Sequence, residues 1–456
     1  MWLAVVHLLL VTEALAFNIS NLISPFSDVV QVRYPSRKSH VRRQRAIPPS
    51  VPFPCEDAVS WGRSPQRPTS VHRLRPGDID VVAAIGDSLV AGSGALEEFA
   101  LGAFVEYRGV SWCAGGDATW REYLTLPNIL KEFNPNIKGF STGTGEWLTK
   151  NAKFNVAFPV ASDEDALKQA KLKSSVVYGS ADIPTYARHN VFSIVSYPAD
   201  KWLRKANKNI KTVKFLFQIL VARMRSSSEI DMENDWKMVT VFIGANDLCS
   251  ASCLNPVSWS PAAHAKKLSI ALDYLHKHLP RTIVNLVPVL DVSVSIRVLR
   301  PMMCRLMHSL FCTCFHQGGN ELYDLVRMAR FYQKAEVALV DSGRYSSDDQ
   351  FAVVVQPFMR LFNAPLPPPA ALPLVIHQSY ITHDCFHFSQ KGHALAANLL
   401  WNNLLEPVGN KSDNVPPVLL RSFRCPSRQA PYFFTSKNSR SYLLTGKQEG
   451  ADDVFL

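Results

Sequence analysis

Residues 81–92 read VVAAIGDSLVAG, an apolar run that breaks into small residues around one serine. The apolar half fits a short buried strand, and Gly86, Gly92 and Gly94 mark a tight exit from it. Four more strand-like runs follow, at 137–143 (IKGFSTG), 237–247 (KMVTVFIGAND), 282–290 (TIVNLVPVL) and 351–358 (FAVVVQPF). Helical spacing of apolar positions lies between them at 127–133, 262–278 and 322–340. Continuous β-branched runs alternating with helices predict a parallel sheet covered by helices on both faces, a three-layer α/β/α architecture. In such a sheet the reactive crevice lies beyond the carboxyl ends of the strands. Ser88 sits at one such end, and GAND (244–247) at another.

One stretch breaks the pattern. An acid-started helix at 161–171 dissolves after Lys171, and its apolar stripe resumes at Ile219. With 172–218 removed, Leu220, Val221 and Met224 continue that stripe at helical spacing, which predicts an insertion at 172–218 or an unspliced segment. At the N-terminus, the apolar residues 2–11 followed by TEALA predict a cleaved signal peptide over 1–16 and a secreted protein. Residues 17–45 are either a basic prosegment, ending at Arg42-Arg43-Gln44-Arg45, or a flexible basic arm. Residues 46–445 then form a single domain, and 446–456 a flexible tail. No other apolar run is long enough to span a bilayer, so no membrane anchor is expected.

The formal charge of +11 suggests nucleic acid or an anionic membrane, but its location undercuts that. Residues 1–45 carry six Lys/Arg against two acids and 172–218 carry eight against two, leaving the rest of the chain nearly neutral. With no zinc-finger spacing and no basic-aromatic motif, nucleic acid is excluded as a partner. Nine cysteines in a secreted chain imply disulfides plus one odd thiol. Cys249 and Cys253 are close enough to staple one loop, and Cys304 is expected to pair with Cys312 or Cys314. The partners of Cys55, Cys113, Cys385 and Cys425 are not legible. Asn410, in an Asn-x-Ser sequon, is the expected glycan acceptor of the mature chain.

A nucleophilic serine needs a base, a group to orient the base, and donors for the oxyanion. THDCFHFSQKGH (382–393) supplies the base: Asp384 and His387 stand three apart, so they share a face of one turn. His383 and His393 are its rivals, and Asp247 competes with Asp384 as the orienting acid. Gly115 and Gly116 in SWCAGGDATW allow a bare backbone to offer its N–H, and Asn246 presents a side-chain amide at a strand end. Taken singly, each has a plainer reading as a cap or a turn; Asp87-Ser88 is itself a good helix cap.

Together and in this order, Gly-Asp-Ser-Leu, glycine, Gly-x-Asn-Asp and Asp-x-x-His resemble the blocks of the SGNH or GDSL hydrolases. The text from about Cys55 to Tyr442 is similar to the phospholipase B branch of that family. The resemblance implies a flavodoxin-like fold with Ser88 as nucleophile, His387 as base, and an oxyanion hole from the Ser88 N–H, Gly116 and Asn246. Both Asp384 and Asp247 fall inside its motifs, so the acid stays open between them. It also implies hydrolysis of fatty-acyl esters in phospholipids and lysophospholipids at a transient membrane or micelle surface, with no metal or other cofactor. Two alternatives stand beside it: an esterase on short acyl or carbohydrate esters, and a catalytically dead lipid-binding protein whose site the insertion has spoiled.

Overall fold

The computed structural model describes residues 39–159, 161, 212–298, 300–315, 321–366, 377–414, 420 and 422–451. Strands β1 (Val81–Gly86), β2 (Lys237–Phe242), β3 (Thr282–Leu286) and β4 (Phe351–Val355) pair in parallel in the order β1-β2-β3-β4. Every residue in them except Val355 is buried, as expected of strands covered on both faces. The principal helices are α1 (Ser88–Ala91), α2 (Leu126–Lys131), α3 (Thr212–Ser226), α4 (Pro261–His278), α5 (Met302–Phe311), α6 (Glu321–Asp341), α7 (Gln390–Leu404) and α8 (Ser436–Thr445). Their starts follow local sequence: Thr125, Ser260 and Ser389 each accept a hydrogen bond from a backbone N–H of the first turn.

Alternation along the strands splits the core in two. Val81, Ala83 and Ile85 pack with Leu216, Leu220 and Met224 of α3 and Leu268 and Leu272 of α4. On the other face, Val82 and Ala84 join Ile129 and Leu130 of α2 and Leu395, Leu400 and Trp401 of α7. Each fully buried aliphatic or aromatic side chain contributes about 1.5–3 kcal/mol of transfer free energy. This is the three-layer α/β/α arrangement expected from the sequence. No helix among the described residues is long and apolar enough to cross a membrane.

The run at 137–143 is not a regular strand. It makes single parallel bridges, Val81 with Lys138 and Gly115 with Ser141. Gly139 turns the chain away with φ +88°, and a Cβ there would meet the Val82 carbonyl oxygen at 2.4 Å. Only glycine takes that turn so close to β1. The chain returns to β1 through Asn155 and Val156. β1 therefore has this irregular segment on one side and β2 on the other, and the connection changes direction at its carboxyl end, where Ser88 lies.

Other boundaries also differ from expectation. Helix α3 runs from Thr212, so the last residues of the expected insertion, 212–218, are helical, and Phe215, Leu216 and Phe217 are buried in the core. Residues 162–211, with the expected helix there and most of the expected insertion, lie outside the described residues. Two compact units divide the chain, Met1–Val41 and Arg42–Leu456, and residues 1–38, including the expected signal peptide, are likewise outside the description. Arg42–Gln44, expected in a basic prosegment or a flexible basic arm, belong with the larger unit: the buried Gln44 donates to the Trp120 carbonyl and accepts from the Leu124 N–H. The start of the expected flexible tail is packed as well, with Gln448 and Ala451 buried against the body. Residues 452–456 lie outside the described residues.

The disulfides correct the local pairings. Cys249 and Cys253, one turn apart, both face the Cys-x-Cys at 312–314, giving Cys249–Cys312 and Cys253–Cys314. Cys304 pairs instead with Cys385, Cys55 with Cys425, and the buried Cys113 is the free thiol. Two cysteines on successive turns of one segment point the same way, so they bridge to a neighbour rather than to each other.

Candidate active site

β1 ends at Gly86, and Asp87 caps α1 by accepting the Leu89 N–H on Oδ1 at 2.9 Å. Ser88 is thus the first helical residue, 5% exposed, at the carboxyl edge of the sheet. Gly92 stops α1 after one turn with φ +78°. Burial raises the Asp87 pKa to about 7, against the hydrogen bond from the Leu89 N–H and the charge of His387. The His387 charge thus reaches the strand exit from the histidine turn.

The histidine turn is tightly built. Asp384, 3% exposed, accepts hydrogen bonds from Thr382 Oγ1, the Phe386 N–H (2.9 Å) and the His387 N–H (3.1 Å) on one carboxylate oxygen. Its other oxygen takes His387 Nδ1 at 2.5 Å. Burial would raise the Asp384 pKa, but the His387 charge and these bonds outweigh it and hold the carboxyl well below its ordinary range. Because Asp384 is ionised, Nδ1 carries the proton and donates. For His387, burial opposes the imidazolium, but the charge and hydrogen bond of Asp384, and then Asp87, outweigh it and raise its pKa above 6.5. Between them Cys385 adopts φ +61°, unusual for a residue with a Cβ, and its disulfide to Cys304 of α5 pins that conformation. The Asp384 carbonyl is also held, at 3.0 Å from His308 Nε2.

The rival histidines have other partners. His393 Nδ1 accepts the Trp112 N–H, and burial together with the His387 charge lowers its pKa to about 3. His383 lies 3.2 Å from Arg42, and burial and that guanidinium lower its pKa. Asp247 is fully buried on a single π turn, Asp247–Ala251, with its carboxylate 3.9 Å from His264 Nδ1. His264 Nε2 in turn stands 2.9 Å from Glu336. The structure therefore pairs Asp384 with His387 and Asp247 with a different histidine.

The expected oxyanion donors are the least assembled part. The Gly116 N–H is already committed to the Ser141 carbonyl at 2.8 Å, and Gly115 to Ser111 at 2.8 Å. This glycine pair packs the turn: a Cβ at Gly116 would fall 2.1 Å from the Phe140 ring. Its N–H, expected as an oxyanion donor, ties the turn to the 137–143 segment in this structure. Asn246 Nδ2 donates to the carbonyls of Ala161 (2.9 Å) and Pro159 (3.3 Å). Sequence reasoning missed Thr382, His308 and the Cys304–Cys385 bridge. Thr382 has a local signal, a hydroxyl two residues before an acid; the other two depend on α5 folding back onto the turn.

These blocks are matched in known proteins. A sequence model described as GDSL-like lipase/acylhydrolase matches residues 82–400. The chain is 37% identical over 380 residues to the mouse protein named phospholipase B1, membrane-associated, covering 82% of this chain and 22% of that one. The human protein of the same name gives 37% over 382 residues, again 82% and 22%. This chain thus spans little more than a fifth of the length of those relatives. The family match begins within β1 and runs through α7, so it takes in the strand exit, the Asn-Asp loop and the histidine turn. With most of its length matched and those three blocks on one edge of a parallel sheet, the chain belongs to the GDSL-like lipase/acylhydrolase family, which comprises carboxylic-ester hydrolases.

Proposed function

We propose that this protein is a secreted serine esterase that cleaves fatty-acyl esters of phospholipids and lysophospholipids at a membrane or micelle surface. The observation carrying the chemistry is the Asp384–His387 hydrogen bond on a turn whose histidine interacts electrostatically with the residue preceding Ser88. In the proposed reaction Ser88 Oγ attacks the ester carbonyl while His387 takes its proton, and Asp384 stabilises the imidazolium. The C–O bond to the alcohol breaks, and His387 returns the proton to that leaving group. Water then attacks the acyl-enzyme, giving free fatty acid and restoring Ser88. The Ser88 N–H and Asn246 amide are assigned to the oxyanion; the longer Asn246 bond, to Pro159, is the one the oxyanion displaces. The names of the relatives support the lipid substrate, and four disulfides support an oxidising compartment.

One observation favours a second reading, a lipid-binding protein without turnover: the Asn246 amide is already satisfied within the protein. Labelling with a fluorophosphonate probe separates the two, since only an activated serine reacts. Ser88→Ala should abolish labelling and lower ester turnover by about five orders of magnitude or more with the melting temperature unchanged. A folded Ser88→Ala protein that keeps substantial turnover rejects Ser88 as nucleophile. Rates on lysophospholipid against a short soluble ester then separate a lipid esterase from one acting on short acyl groups.

A further inference from the structure

Helix α5 is apolar on both sides. Cys304, Met307 and His308 face inward and are buried; Cys304 is bonded to Cys385 and His308 holds the Asp384 carbonyl. Met302, Leu306 and Leu310, four residues apart, line the outward face at 75%, 48% and 47% exposure, and Phe311 at the end of the helix is 52% exposed. Phe104, 61% exposed on the turn that follows the nucleophile helix, packs its ring against Phe311 at 5.8 Å and extends the patch. A row of exposed apolar side chains at helical spacing, with an exposed aromatic pair at its end, marks a docking site, because burying it is favourable and scattered exposure does not produce it.

The charges around the patch select the occupant. Residues 292–315 contain no Asp or Glu, while Arg305 is exposed within α5 and Arg300 is partly exposed just before it. The acids of the neighbouring turn are engaged: Glu97 by the Tyr107 hydroxyl, Glu98 by Arg43 and Glu106 by Arg108. An apolar helix face with a basic fringe fits a phospholipid surface, where such helices bury their apolar side about 5–10 Å into the headgroup and acyl boundary. The acyl ester bonds of a phospholipid lie at that same boundary.

We propose that the outward face of α5, extended by Phe104, seats the protein on a phospholipid bilayer. The disulfide and hydrogen bond to the Asp384–His387 turn make α5 a rigid link between the lipid surface and the reacting groups. This inference rests on the lipid-ester reading above and adds the surface by which that substrate is reached.

The test uses the full chain carrying Ser88→Ala, so that vesicles survive the assay, with and without Leu306→Glu and Leu310→Glu. Both leucines are about half exposed, so glutamate should be tolerated, and an unchanged melting temperature checks this; Met302→Glu is the milder second variant. Flotation with phosphatidylcholine vesicles should capture the Ser88→Ala protein, and phosphatidylserine should tighten capture. The double glutamate variant should partition at least about tenfold less. With Ser88 restored, the glutamates should lower turnover of aggregated phospholipid by about tenfold and leave a short soluble ester unaffected. Failure of the Ser88→Ala protein to float, or equal flotation of the glutamate variant, overturns the proposal. So does an equal loss on the soluble ester, which assigns the effect to the reacting groups. A dimer that the glutamates convert to monomer, with no flotation, assigns the face to a second copy and also overturns it. If the unmutated protein cleaves no acyl ester at all, the lipid-ester reading fails, while flotation still decides the docking surface.

Discussion

Of the acid–histidine clusters among the described residues, two near the candidate site are chemically alike. One is the Asp384–His387 turn; the other joins Asp247, His264 and Glu336 beneath the Asn246 loop. In the first, the His387 side chain is 15% exposed and bound to one carboxylate. In the second, His264 is fully buried between two carboxylates and stacked on Tyr332 at 4.6 Å, while Glu336 also accepts the Val289 N–H. The inner cluster ties α4, α6 and the loop after β3 together. An imidazole–carboxylate pair is thus a structural clamp or a candidate proton relay according to what else reaches the ring. Access and a neighbouring hydroxyl decide the role; the pair by itself does not.

Exchanging the acids should break the comparison most sharply. Asp384→Asn removes the charge that stabilises the imidazolium and fixes its tautomer, so turnover should fall by about 10⁴-fold. Asp247→Asn should lower the melting temperature and leave turnover within about tenfold once folding is corrected for. Loss of turnover in a stable Asp247→Asn protein, with Asp384→Asn active, would reverse the two roles.

His264→Ala should act on stability, because it leaves two buried carboxylates without the imidazole. Unfolding by denaturant should show a loss of about 3–5 kcal/mol, with kcat little changed in the fraction that stays folded.

The smallest effects are in pH dependence. His387 has a folded pKa above 6.5, so its contribution to stability is fully present below 6.5 and is lost as pH rises through the folded value. Catalysis has the opposite sign, since only the neutral ring accepts a proton. The acid limb of kcat/KM should therefore lie above the ordinary histidine value. Asp384, with a depressed pKa, stabilises the fold above its unfolded value of 3.8 and loses that contribution as pH falls towards its folded value. Asp87→Asn keeps a good cap but removes one of the charges raising His387, so it should move the acid limb slightly to lower pH. An unmoved or raised limb would show that Asp87 does not act on His387.

The strands, the long helices and the Asp-x-x-His turn were legible because their determinants are local. Buried runs, cap residues and three-residue spacing specify geometry within a few residues of themselves. The run at 137–143 was not, since its departure from strand geometry depends on how closely Gly139 passes β1. Cys249 and Cys253 misled for a similar reason: their proximity in sequence is real, but the turn aims both at 312–314.

The sequence by itself determined the sheet class, the strand exit that presents Ser88 and the local pairing of Asp384 with His387. Tertiary structure alone decided that Asp247 belongs to His264, that the Gly116 N–H is taken by Ser141, and that α5 is bolted to the histidine turn with an apolar face outward. Each of these depends on which distant segment comes to lie against a donor, an acid or a thiol. Periodicity and spacing fix which way a side chain leaves its own element. Its partner is fixed only when the elements pack, because buried polar groups must find partners among whatever the fold brings near.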